Sequence, residues 1–295
     1  MRRQIVGVCG LLICMLLIIA CSGSSPDTLA QTNFKQGSAG VELRFLENAP
    51  PEILYPRSDF RLVLEAHNGA AYDVTNGELK IVGLNRDYFA VEPLEQFVGV
   101  LSGRSLMDPE GGREFIEFSG KAGDLFLNAE ERVEPFLLKF HYNSHFEFSD
   151  TICINSQLYD VYDAGCQVEA SKSYGGQGSP VSVSSMEEIV LPGDNPAVEL
   201  RLHIDNMGSG EIGRVTLGKA NFGGEEVACH FQEAEDISNF KTVEFGAKRQ
   251  SATFVCTKYL TNSKTYSTTV SMDFTYDYKM QEEGQLRLVN PQSGR

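Results

Sequence analysis

Strict two-residue alternation of apolar and polar side chains is the feature that most limits the fold. In LKFHYNSHFEF the even positions Leu138, Phe140, Tyr142, Phe146 and Phe148 are apolar, with Ser144 as the interruption. Lys139, His141, Asn143, His145 and Glu147 take the other face. VSMDFTYDYK repeats the pattern, setting Val270, Met272, Phe274, Tyr276 and Tyr278 against Ser271, Asp273, Thr275, Asp277 and Lys279. A side-chain period of two puts one face of an antiparallel strand on a core and the other in water. Past the N-terminal apolar run, no stretch of similar length keeps a helical apolar stripe, so the expected class is all-β. NAEERVEPF and EAEDISNF read as single helical turns.

The strands also recur. FRLVLEAHNGA places Phe60, Leu62, Leu64 and Ala66 inward and reaches Asn68, while VELRLHIDNMG places Val198, Leu200, Leu202 and Ile204 inward and reaches Asn206. The offset is 138 residues throughout. A second strand follows each, GELKIVGL and GRVTLGKANF, and each copy closes on one of the aromatic-rich strands. A repeat this long is a duplicated domain, not a solenoid unit. Several short strands with turn signals suit a β-sandwich of immunoglobulin type. Two tandem immunoglobulin-like sandwiches are expected, at residues 40–176 and 177–281. The junction falls at SYGGQGSPVSV, where Gly175, Gly176 and Gly178 loosen the chain and Pro180 favours an extended Ser179. Residues 282–295 read as a polar tail that frays.

The N-terminus has a different grammar. Arg2 and Arg3 precede an uncharged apolar run from Ile5 to Ile19, and then Ala20, Cys21 and SGSSP. Residues 1–21 read as an export signal. Ending in cysteine, the segment resembles a lipoprotein signal, which implies diacylglycerol on the Cys21 sulfur after cleavage. An uncleaved membrane anchor is the competitor, since Ile5 to Cys21 reaches the lower limit of a spanning helix, about 17 residues. Plain secretion is the third alternative. All three place the chain outside the cytoplasm. Residues 22–39 are small and polar and should form a flexible tether.

Charge and cysteine use agree with that compartment. The formal charge of the 295-residue chain is −15, and more negative still once the two arginines of the signal are gone. Such a surface repels phosphate backbones and anionic lipid, so nucleic acid is excluded as a partner and membrane contact falls to the N-terminus. Beyond Cys9, Cys14 and Cys21, four cysteines remain: Cys153, Cys166, Cys229 and Cys256. An even number in an exported chain suggests two disulfides, with three connectivities open. Pairing Cys153 with Cys166 and Cys229 with Cys256 keeps each bridge within one predicted domain, and the first bridge would stiffen CINSQLYDVYDAGC into an elbow. Zinc is disfavoured by the spacing.

LRLHIDNMGSGEIGRV, with its strand, Asn, Gly-containing turn and strand, resembles the cell-adhesion-related immunoglobulin-like modules called CARDB. FLENAPPEILY, LEAHNGAAYDVTNGELKIVGL and GGQGSPVSVSSMEE are similar to segments of two-domain, membrane-anchored surface proteins of small-genome archaea. The resemblance spans most of residues 40–280 and rests on turn and core patterns. It implies a sandwich fold and surface display, and it carries over no catalytic residue.

Residue patterns that carry chemistry are few. His141 and His145 are spaced for a metal on a helix, but on a strand they lie about 13 Å apart. Gly103 precedes Ser105 as in a nucleophile elbow, yet Met107 stands where the second glycine is required. YGGQGSP lacks the Lys-Ser/Thr ending of a phosphate cradle. Asp150, Asp160 and Asp163 do not follow a calcium-loop pattern. No metal and no cofactor is expected. Tyr159, Tyr162 and Tyr174 on the clamped excursion form a possible contact loop, against packing at the domain junction as the plainer alternative. The leading expectation is therefore a non-enzymatic, membrane-anchored protein that binds a surface protein or polysaccharide, in adhesion or envelope assembly. A second is a hydrolase of envelope polymers using loop carboxylates among Glu95, Glu110, Glu114 and Glu117. A third is a structural spacer, which a long exposed edge strand would favour.

Overall fold

The structure, a computed structural model, describes residues 33–126, 129–155, 165–234, 240–246, 249–260 and 265–291. Among them there is no helix. The strands are β1 (Val41–Phe45), β2 (Asp59–Asn68), β3 (Thr75–Val82), β4 (Phe89–Glu92), β5 (Glu95–Val98), β6 (Arg113–Ala122), β7 (Glu131–Ile154) and β8 (Ser171–Ser173). They continue with β9 (Val181–Leu191), β10 (Ala197–Asn206), β11 (Glu211–Phe222), β12 (Glu225–Glu226), β13 (Cys229–Phe231), β14 (Thr242–Glu244), β15 (Ser251–Tyr259) and β16 (Tyr266–Val289).

Three antiparallel sheets result, which makes the fold an all-β sandwich. A four-stranded sheet runs β1-β2-β6-β4 and a five-stranded sheet runs β13-β15-β10-β9-β8. A seven-stranded sheet runs β12-β11-β16-β7-β3-β5, with β14 also paired to β11. Its spine is the pair β7 and β16, 24 residues each, in register from Glu131 opposite Val289 to Ile154 opposite Tyr266. Tyr142 faces Tyr278 at the middle of this ribbon, with ring centroids 5.6 Å apart. β3 pairs with the first half of β7, and β11 with the first half of β16. An approximate two-fold axis therefore passes through the ribbon's midpoint. Each long strand begins in its own half of the molecule and ends under the other half.

The core follows the alternation. Phe60, Leu62, Leu64 and Ala66 of β2, and Val198, Leu200, Leu202 and Ile204 of β10, are all buried. Each of these side chains larger than alanine contributes about 1.5–3 kcal/mol of transfer free energy. Phe45 meets Phe136 edge-on at 5.8 Å and ties the four-stranded sheet to β7. Phe254 meets Phe274 at 5.2 Å and ties the five-stranded sheet to β16. Phe146, from the far half of β7, stacks on Phe274 at 5.0 Å, so the second core uses a residue from the first repeat. Buried apolar residues of both halves belong to one contiguous cluster.

The repeat extends to hydrogen bonds. Asn68 Nδ2 donates to Tyr72 O at 2.9 Å, and its Oδ1 accepts the Ala70 N–H at 3.0 Å. Asn206 Nδ2 donates to Gly210 O at 2.7 Å, and its Oδ1 accepts the Gly208 N–H at 3.1 Å. Both side chains bind the same two backbone positions, two and four residues on, and both shape the turn that ends the strand.

Several expectations change in the structure. The boundary expected at 176/177 falls between halves that share a sheet, and residues from Phe34 onward form one compact unit. The glycine-rich junction is packed rather than loose. Gly178 donates its N–H to Gly37 O at 2.7 Å, and Ser179 is buried with its hydroxyl on Tyr276 Oη at 2.9 Å. At Gly176, φ is +98° and an added Cβ would stand 2.4 Å from Gly37 O, so glycine serves close approach here. The last part of the expected tether is docked as well, through Gly37 and an ion pair between Lys35 and Glu147. Residues 282–289 of the expected tail complete β16, with Leu286 and Leu288 fully buried. Residues 131–136 of NAEERVEPF are strand, not a helical turn, because β16 supplies their partner. Most of EAEDISNF lies outside the described residues, as do Cys21 and the signal segment.

Candidate functional site

Both disulfides form. Cys153 near the end of β7 joins Cys166 with a Cα–Cα distance of 5.8 Å, and Cys229 of β13 joins its register partner Cys256 of β15 at 4.2 Å. Two bridges are compatible with an extracytoplasmic compartment. Of the expected contact loop, Tyr159 and Tyr162 lie outside the described residues, together with Asp160 and Asp163.

Tyr174 is held inside a polar cluster rather than offered to a partner. Its ring stands edge-on to Phe148 at 5.0 Å and its hydroxyl donates to Asp150 Oδ2 at 2.7 Å. Lys172 Nζ reaches the same carboxylate oxygen at 3.0 Å and Thr151 O at 2.8 Å. Burial pushes the Asp150 carboxyl up, but the Tyr174 and Lys172 hydrogen bonds outweigh it and the net shift is downward. Burial, and then the Asp150 charge, push the Tyr174 phenol far above its ordinary range. Glu188 of β9 lies beside Lys172. It is 6% exposed, its Oε1 has no hydrogen-bond partner among the described residues, and burial raises its carboxyl to about 7. With β8, this cluster closes the seam between the five-stranded sheet and β7.

The matching seam of the first half is open. β1 is the counterpart of β9, since each pairs with the strand that ends in the repeated Asn. No strand among the described residues lies beside β1 as β8 lies beside β9. A cleft of about 620 Å³ opens beside β1, lined by Val41, Leu43, Arg44, Glu65, Met280 and Glu282 among others. On its rim the nearly buried Glu65 carboxylate is held by Arg44 and by Arg113 at 3.2 Å. The hydrogen bond from Arg44 keeps that carboxyl below its ordinary range. Arg113 also reaches Glu110 at 3.1 Å, and His67 Nε2 lies 2.7 Å from Glu110 O.

Glu95 pairs with Lys80 at 3.1 Å, Glu110 with Arg113, and Glu117 with Arg61 at 3.1 Å. Glu114 accepts the Gly99 N–H at 3.1 Å. Three residues apart on β6, Glu114 and Glu117 point to opposite faces. His141 and His145 are both on β7, and the His145 ring packs on Tyr72 at 4.7 Å. No group of three or more His, Cys, Asp or Glu suited to a metal occurs among the described residues. Ser105 Oγ accepts the Asp108 N–H at 3.1 Å within a turn.

One surface escaped the sequence reading. Between β5 and the start of β6, Met107 is 97% exposed, Phe97 and Leu106 79% each, Val100 67% and Phe115 60%. β5 is fastened to the free part of β6 by side chains, through Gln96 Nε2 on Glu117 O at 2.5 Å and the Gly99–Glu114 bond. These five residues follow no period, so pattern reading passes over them. Their only signal is large apolar side chains in a segment otherwise rich in Gly, Asp and Glu. The sheet edges carry less, because β1, β4, β5, β8, β12, β13 and β14 are two to five residues long.

No protein-family model matches the chain, and no curated protein matches it. Among solved structures, the secreted serine protease VesC from Vibrio cholerae shows 12% identity and a TM-score of 0.21 over 81% of this chain and 51% of that one. The chain thus spans about half the length of that protease. The E. coli chaperone DraB shows 14% identity and a TM-score of 0.20, covering 78% and 98%. The CupB6 tip adhesin from Pseudomonas aeruginosa shows 7% identity and a TM-score of 0.21, covering 86% and 98%. Likeness at this level assigns neither family nor activity.

Proposed function

We propose that the chain is a non-catalytic binding protein of the cell envelope, acylated at Cys21 and displayed on the outer side of a membrane. In this reading the CARDB-like, immunoglobulin-type scaffold serves adhesion or envelope assembly, and its partner is a surface protein. The observation that carries the reading is the exposure of Phe97, Val100, Leu106, Met107 and Phe115, which we take together as one apolar contact ridge. Large apolar side chains gathered on one loop and its flanking strands mark contact surfaces, and aromatic residues supply most of the energy in such contacts. Surface display is supported by the two disulfides and by the signal ahead of Cys21. Hydrolysis is not proposed, because the four carboxylates considered for it are engaged by different partners.

The test is cross-linking in intact envelopes with a photoreactive residue at position 107, compared with the same chain carrying Phe97→Asp and Phe115→Asp. A partner captured at position 107 and lost in the charged variant is the expected result. No capture, or capture indifferent to the charges, overturns the ridge as the binding surface. Mass spectrometry of the mature N-terminus decides the anchor: a diacylated cysteine at position 21 is expected, and an intact signal segment would replace it with a spanning anchor.

A further inference from the structure

We infer that the cleft beside β1 is an acceptor site for an extended, basic polypeptide segment, which adds as a strand to the four-stranded sheet. This site adjoins the apolar ridge, since Phe115 lies opposite Glu65 in the β2–β6 register, but the proposal does not depend on that ridge.

The outer edge of β1 has open backbone groups. Leu46 donates its N–H to Val63 O, and Asn68 donates its N–H away from β1, to Gly112 O. In an antiparallel ladder the residues that bond to a neighbour alternate with those that turn away. Glu42 and Arg44 therefore bond toward β2, while the N–H and C=O groups of Leu43 and Phe45 point into the cleft. They have no hydrogen-bond partner there among the described residues. The molecule carries its own precedent. In the other half, β8 lies antiparallel on β9 through Ser171, Lys172 and Ser173, opposite Glu187, Met186 and Ser185. In register, β8 covers the counterparts of Arg44, Phe45 and Leu46, and the Gln177 side chain bonds both backbone groups of Val183, the counterpart of Leu43.

Charge decides the kind of strand. Arg44 and Arg113 are matched by Glu65 and Glu110. Glu42 and Glu282, which line the cleft from β1 and from β16, form no ion pair among the described residues. The cleft thus carries uncompensated negative charge over a floor that includes Val41, Leu43 and Met280. An incoming strand with apolar side chains on the Val41, Leu43 and Met280 face and lysine or arginine on the Glu42 face satisfies the backbone, the floor and the charge together, with Glu282 adding negative charge at the inner rim. The occupant is a segment of another polypeptide, because a second copy of this chain is itself acidic.

The full chain in detergent micelles, with a short capped peptide alternating lysine and valine as the probe, provides the test. Binding is expected to slow amide hydrogen exchange at Leu43 and Phe45 by about tenfold or more, as unpaired edge amides become bonded. Glu42→Lys with Glu282→Lys should weaken binding by about tenfold, while thermal unfolding shows the fold retained. Failure of the peptide to bind overturns the site. So does binding with unchanged exchange at Leu43 and Phe45, or equal binding of a glutamate–valine peptide. Protection of the same two amides by self-association would replace the partner with a second copy, and protection by an envelope polysaccharide would replace it with a glycan. If the site fails while a partner is still captured at position 107, the envelope-binding reading stands without it.

Discussion

The two halves of the molecule repeat the same strands about one axis, yet they finish their outer seams differently. In the second half, β8 covers the edge of β9, and the exposed backbone of β7 is capped by side chains. The Tyr72 hydroxyl accepts the Glu147 N–H at 3.1 Å, and Lys172 Nζ donates to Thr151 O at 2.8 Å. In the first half the corresponding stretch of β16, around Gln281, Glu283 and Gln285, has no such cap among the described residues, and β1 has no covering strand. Duplication supplies a scaffold with two equivalent openings, and a three-residue strand with a handful of polar groups decides which one is shut. Openings of this kind are where a duplicated domain can acquire a partner without disturbing its core.

The largest expected effect tests whether the halves depend on each other. Leu286 lies late in the sequence, yet it is fully buried opposite Glu134 of β7, in the part of the ribbon that underlies the first half. Leu286→Ala should cost about 3 kcal/mol, through lost transfer energy and an unfilled cavity. Native-state hydrogen exchange should show the loss in β2 and β6 of the first repeat. Acceleration confined to β10 and β15 would mean that the halves are energetically separate, and the shared ribbon would lose its significance.

That dependence was hidden from pattern reading for a physical reason. The alternation in 138–148 and 270–278 marks the stretches where β7 and β16 face a covering sheet, and the cores they predict are the cores observed. The pattern lapses near the waist. Glu282 on the inner face lines the open cleft, and Gly284 leaves room for Phe136, whose ring would stand 2.4 Å from an added Cβ. A strand that crosses an uncovered gap has no apolar side chain to show there, so a polar tail is read where Leu286 and Leu288 resume the core. The glycine-rich junction misled for a related reason, since glycine permits close packing as readily as looseness. A usable signal was present: Gln36-Gly37-Ser38 recurs as Gln177-Gly178-Ser179, and the two copies meet through the bond from Gly178 to Gly37. The disulfide pairs followed from the expectation that each bridge stays within one repeat. The open cleft was not, because it depends on which strands end up adjacent.

A smaller effect sharpens the contrast between the seams. Glu188 sits in the closed one with its carboxyl raised to about 7 from an ordinary value of 4.5. A group that binds its proton more tightly when folded loses stability as pH rises between those two values, and its penalty is complete above the higher one. Asp150, lowered by its neighbours, has the opposite sign and acts only at acid pH, below the ordinary value of 3.8. Glu188→Gln removes the charge while keeping the shape. It should stabilise the protein by about 2 kcal/mol at pH 8, have little effect at pH 4, and flatten the slope between. Thermal melts of both proteins across that range provide the measurement. An unchanged slope would show that Glu188 is solvated and that the closed seam admits water.

The finest comparison is between the repeated asparagines, where sequence and local geometry match and only the surroundings differ. Asn68 is fully buried, and beyond its turn its Nδ2 also donates to Leu101 O at 3.0 Å and Ser102 O at 3.3 Å. Asn206 is partly exposed, and its additional partners are the side chains of Gln250 at 3.1 Å and Tyr278 at 3.0 Å. Removing a side chain from buried backbone partners leaves them without water, whereas side-chain partners near the surface can turn toward solvent. Asn68→Ala should therefore cost about 2 kcal/mol and Asn206→Ala about 1 kcal/mol, read as midpoint shifts in urea at an unchanged denaturant slope. Because the two turns share no partner, the double variant should lose close to the combined amount. Equal single losses would mean that the turn bonds common to both copies carry the energy and that burial adds nothing. A double loss well above additivity would mean that the turns communicate through Tyr278 and the ribbon between them.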